Sequence, residues 1–97
     1  MQITELQTLR DTIDRLDEDI VALIAKRFAV THQVGVLKAH HGFEAVDPSR
    51  EKAQMARYDT LAGQYGLNAD FIRQVFRGLI DEVVSNHKAI AAEIGGR

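Results

Sequence analysis

Apolar residues fall at Leu6, Leu9, Ile13, Leu16, Ile20, Leu23, Val30, Val34 and Leu37. The spacing alternates three and four, which is the heptad seam of a helix that meets another helix. Thr4 with Gln7 three residues on reads as a capping box, so a first helix is predicted from about Thr4 to His41. At 1.5 Å per residue it would be ~57 Å long, roughly twice the width of a domain this size. Its far half would leave an apolar stripe bare, and an intertwined dimer is the simple way to cover it.

Two shorter helices follow. Asp47 suits an N-cap and Pro48 the first helical position. That helix is predicted to run to about Tyr65, with Gly66 as a left-handed stop. Its buried side is expected to be Ala53, Ala56, Tyr58, Leu61, Ala62 and Tyr65. Asn68 caps the third helix. Its apolar face is Phe71, Ile72, Val75, Phe76, Leu79, Ile80, Val83, Val84, Ile90 and Ile94. No strand pattern is present, because the β-branched residues sit at helical spacing. The expected fold is all-α: three helices, the first very long, in an intertwined homodimer, with residues 1–97 as one domain.

Length and composition narrow the function. The chain has 97 residues and no cysteine, which excludes thiol catalysis, disulfides and thiolate metal sites. A core this small is marginal alone, which again favours a second chain. The net charge of −2 provides no broad basic field for nucleic acid. Met1 to Asp11 is not expected to act as a secretory signal, and no stretch is expected to span a membrane. A cytoplasmic protein with neither nucleic acid nor membrane as partner is the expectation.

Local charge says more. Arg27 takes the seam position between Leu23 and Val30, and His87 interrupts the apolar face of the third helix. A buried guanidinium without an anion is too costly, so Arg27 calls for either a structural carboxylate or a bound anion. His87 reads as a hydrogen-bonded core residue or as a functional one. Lys38 lies 11 residues after Arg27. That is about 20° from the same face, at a rise of ~16 Å. Two long side chains reaching toward each other across that gap suit a small dianion. Gly35 between them leaves room for another helix or for a ligand. Arg10 lies ~25 Å from Arg27 and about 100° off its face, so it does not comfortably share Arg27's site within one chain, whereas an antiparallel dimer could bring it into the partner's. Arg50 has the wrong sign for a helix N-terminus and invites another explanation, whereas Asp47 and Glu51 suit the dipole. His32, His40, His41, Arg57, Arg73 and Arg77 read as surface residues, the acidic run Asp14 to Asp19 as a solvated face, and Gly78 as a helix-packing contact.

The ordered set Leu9-Arg10-Asp11, Ile13-Asp14-Arg15-Leu16-Asp17, Ala25-Lys26-Arg27, Val34-Gly35-Val36-Leu37-Lys38 and Asp47-Pro48-Ser49-Arg50-Glu51 resembles the all-helical class of chorismate mutases. The resemblance covers most of the chain. It implies an intertwined three-helix dimer that rearranges chorismate to prephenate with no cofactor, no metal and no covalent intermediate. It implies that Arg10 enters the partner subunit's site while Arg27 and Lys38 act in their own. By the same resemblance, Arg10 and Arg27 bind substrate carboxylate, and Lys38 contacts a carboxylate and the ether oxygen. Glu51 and the backbone near Asp47 hold the ring hydroxyl, and Arg50 closes the pocket. Two positions depart from the pattern. The usual glutamine or glutamate that donates to the ether oxygen aligns with His87, and a serine one turn earlier aligns with Val83. Histidine can donate from a ring nitrogen, so His87 is expected to replace the amide. The family likeness leaves two alternatives: an isochorismate pyruvate lyase, or a mutase-like module that works mainly with an upstream shikimate-pathway enzyme. The intact Asp47–Glu51 segment favours the mutase.

Overall fold

The computed structural model describes residues 3–95 and contains three helices: α1 (Ile3–His40), α2 (Pro48–Gln64) and α3 (Ala69–Gly95). No strand occurs among the described residues. The chain divides into two compact units, one ending at Thr31 and one beginning at His32, and α1 contributes residues to both.

The first unit is the N-terminal part of α1. The capping box expected at Thr4 is not formed, because Ile3 is already helical. The Gln7 amide donates forward to Asp11 Oδ1 at 2.9 Å instead of reaching back. Thr8 and Thr12 hydroxyls donate to the carbonyls one turn earlier, at 2.9 and 3.0 Å. The seam residues from Leu6 to Leu23 are exposed, at 38% for Leu6 rising to 62% for Leu23. One further expectation needs correction. α1 contains an 18-residue window long and apolar enough to cross a membrane, only 6% of it buried. Lys26 and Arg27 interrupt the apolar residues of α1, and a charge at a bilayer centre costs about 2.5–3.5 kcal/mol on insertion scales. The heptad spacing of these residues is the pattern of a helix that meets helices.

The second unit holds the last turns of α1, the 41–47 connection, α2 and α3. α1 ends in a Schellman motif: Phe43 N–H donates to the Lys38 carbonyl at 2.8 Å and Gly42 N–H to the Ala39 carbonyl at 3.3 Å. Gly42 has φ 70°, a region closed to most side chains. α2 ends the same way at Gly66, as its position in the sequence predicts, with Leu67 N–H on the Ala62 carbonyl at 2.8 Å. Asp47 Oδ1 caps α2 by accepting from Arg50 N–H at 3.1 Å, and Asn68 Oδ1 caps α3 through Phe71 N–H at 2.8 Å.

α2 packs on α3 around Tyr58, Ala62 and Ile80, the buried apolar side chains among the described residues. The Tyr58 and Phe76 rings stack at 3.9 Å. Arg73 ties the two helices at the surface, donating to Asp59 at 2.8 Å and also pairing with Asp70. Fully burying an apolar side chain is worth about 1.5–3 kcal/mol, so a core of three residues is a small one. Ala53, Ala56 and Tyr65 are exposed, contrary to the predicted α2 face, because α2 has one neighbour rather than two. On α3, Phe71 and Val75 are exposed as well. Gly78 meets nothing within 4 Å where a Cβ would stand, so the packing contact expected there is not made within this chain. Gly35 behaves in the opposite way. A Cβ there would stand 2.5 Å from His87 Cδ2 and 3.0 Å from Ile90 Cδ1, so the missing side chain admits α3.

Candidate functional site

The connection after α1 places three of the predicted residues together. Lys38 Nζ donates to the Ala45 carbonyl at 3.3 Å, across the bend that the Schellman motif creates. An ammonium has three donors, so two remain for an anion. Asp47 follows two residues after Ala45. Its carboxyl lies below the usual carboxylate range, first because it accepts the Arg50 backbone N–H and then because Ser49 Oγ donates to it. The charges of Lys38 and Arg50 act in the same direction. Lys38 is half-buried and Arg50 is exposed.

Glu51 sits in the first turn of α2 with its side chain 21% exposed. Its Oε1 accepts from Arg77 Nη1 of α3 at 2.8 Å. Arg77 also reaches Asp81 at 3.4 Å, and these carboxylates push its pKa further up. Sequence reasoning reads Arg77 as a surface charge. The contact joins residues 26 apart in the chain, and only the packing of α2 on α3 reveals it. The i,i+4 spacing to Asp81 is the one local signal.

His87 is 4% exposed and packs against Gly35. Gly35 and Lys38 are one turn apart on α1, so His87 meets the same face that carries the lysine. Its ring therefore fills the gap that the glycine leaves, and of the two readings of Gly35, another helix is the one that holds. Val83, one turn earlier on α3, is half-buried and brings no polar atom. Arg10 and Arg27 belong to the other unit. Arg10 is exposed; Arg27 is half-buried with its Nη1 atom shielded from solvent. Among the described residues no three His, Asp or Glu side chains gather as metal ligands would.

This arrangement can hold an anion and a hydroxyl, with cationic donors and the Glu51 carboxylate as an acceptor, while the Asp47 carboxylate is engaged by the Arg50 N–H and the Ser49 hydroxyl. Chemistry that needs only positioning and charge stabilisation fits such a site.

The family model for chorismate mutase type II matches residues 9–88. The T-protein of Haemophilus influenzae is 37% identical over 81 residues, which is 84% of this chain and 22% of that protein. The T-protein of Enterobacter agglomerans is 34% identical over 80 residues, 82% of this chain and 21% of that protein. The intracellular chorismate mutase of Mycobacterium tuberculosis is 37% identical over 59 residues, 61% of this chain and 56% of that protein. The chain thus spans about a fifth of the length of the T-proteins.

Proposed function

The chain belongs to the chorismate mutase type II family, and on that premise we propose that it rearranges chorismate to prephenate. The observation that carries this reading is the matched span. It runs from 9 to 88 and so contains Arg10, Arg27, Lys38, Asp47, Arg50, Glu51, Val83 and His87.

The reaction is a Claisen rearrangement. The ether C–O bond breaks as a C–C bond forms within the same molecule, and no proton changes place. Catalysis then consists of holding a compact conformer and stabilising charge that develops on the ether oxygen. Arg27 binds one substrate carboxylate, together with Arg10 from a second copy of the chain. Lys38 uses its two remaining donors on a carboxylate and the ether oxygen. His87 gives that oxygen a second donor. Glu51 and the backbone near Asp47 hold the ring hydroxyl, and Arg50 closes the pocket. Val83 lines it. The second copy covers the exposed seam of α1, forming an intertwined homodimer in the cytoplasm.

The deciding experiment incubates the purified chain with chorismate and, separately, with isochorismate and identifies the products by chromatography, with Arg27→Ala as control. Prephenate from the parent and a loss of at least ~100-fold in the variant is the expected result, the scale of removing one charge-stabilising donor. Pyruvate from isochorismate without prephenate from chorismate would replace the mutase by a lyase.

A further inference from the structure

We propose that Arg77 is a positioning residue that prepares Glu51 to accept the substrate hydroxyl. The inference deepens the reading above and rests on it.

Glu51 presents an electrostatic problem. A carboxylate placed beside a dianionic substrate repels it, yet the ring hydroxyl needs an acceptor. Arg77 answers both demands. Its Nη1 donates to Oε1 of Glu51 at 2.8 Å. That contact fixes the rotamer of the carboxylate and leaves Oε2 to accept from a hydroxyl. It also places a positive charge against the Glu51 carboxylate, which weakens the repulsion that this group would exert on the dianion. Asp81, one turn further along α3, accepts from the same Nη1 at 3.4 Å and so helps to hold the guanidinium in place. The Glu51 side chain is 21% exposed and that of Arg77 45%, so the acceptor is the better shielded of the two. Their meeting depends on the α2–α3 packing around Tyr58 and Phe76, which fixes the first turn of α2 against α3.

The test is a double-mutant cycle on the full chain with chorismate as substrate, using Arg77→Gln, Glu51→Gln and the pair. Arg77→Gln is expected to raise KM about three- to fivefold with kcat changed less than about twofold, the upper end of the scale of a partly exposed charge contact. In the Glu51→Gln background the same change is expected to move KM less than about twofold, because there is no carboxylate left to position. Arg77→Lys is expected to recover part of the loss. A purely stabilising ion pair would lower Tm without this dependence on Glu51. Turnover by the parent with KM unmoved in Arg77→Gln, or moved equally in both backgrounds, overturns the role of Arg77 alone. Absence of turnover by the parent overturns the mutase reading and this role with it.

Discussion

Replacing Gly35 by alanine adds one methyl group, and two opposing effects decide its outcome. Alanine is the better helix former, by about 0.5–1 kcal/mol over glycine in a helix interior. The methyl would stand 2.5 Å from His87 Cδ2 and 3.0 Å from both His87 Nε2 and Ile90 Cδ1. Non-bonded carbons rest at about 3.5–4.0 Å, so the imidazole must retreat by about 1 Å. It has little room to do so, since His87 is 4% exposed. Overpacking of this kind costs about 1–3 kcal/mol. The overlap outweighs the propensity gain by about 1 kcal/mol, and Gly35→Ala is expected to lower Tm by about 4–8 °C. A displacement of that size at a reacting centre can cost up to ~100-fold, so kcat is expected to fall well beyond what the stability loss alone produces. Thermal melting followed by circular dichroism, with chorismate turnover measured below Tm, reads both quantities. In a His87→Ala background the clash with the ring is gone, and the Tm cost of Gly35→Ala should shrink toward zero. A Gly35→Ala protein that melts at or above the parent temperature with normal turnover would refute the close approach of α3 to α1 at this point.

Three further outcomes follow from the same geometry. Lys38→Ala is expected to lower kcat/KM by ~100- to 1000-fold, as removal of a donor to developing charge does in other enzymes; a loss under tenfold speaks against contact with the ether oxygen. Asp47 has its carboxyl pKa lowered by the Arg50 N–H it caps, so its charged cap stabilises the fold above its ordinary value of 3.8 and is lost as pH falls through the lower folded value. The melting difference between the parent and Asp47→Asn should therefore be present at pH 6 and close below pH 3.8, and a pH-independent difference would contradict the assignment. Ile13→Asp places a charge in the exposed seam of α1 and should convert a dimer to a monomer by light scattering, with loss of turnover; a parent that is itself monomeric sinks the shared site.

The helices and their stops were legible in the chain because each is written locally. Asp47-Pro48, Gly66 and Asn68 act within one turn of themselves, and the structure uses all three as predicted. Thr4 failed because Ile3 is already helical, which places Thr4 inside the first turn rather than at its cap. Candidate site residues stand out in the sequence where they break an apolar pattern, as Arg27 and His87 do. Arg77 does not, because an arginine on the polar side of an amphipathic helix carries no mark of what lies across from it. The exposed positions Ala53, Tyr65, Phe71 and Val75 show the same limit. Periodicity says that a face is apolar, and only packing says what meets it.

Lys38 does two mechanical jobs at once. Its carbonyl accepts the Phe43 N–H that ends α1, and its ammonium donates to the Ala45 carbonyl two residues beyond Phe43, just before the cap at Asp47. The link between the first two helices is therefore a taut strap, fastened at both ends and in the middle by one residue. Surface connections commonly accept insertions with little penalty, because closure entropy grows slowly with length. Residues added between Gly42 and Val46 would instead pull the lysine away from its station, whereas the bend at Gly66 has no such tie to a charged group. Homologues and engineered variants should therefore vary in length at the second bend and keep the first one fixed.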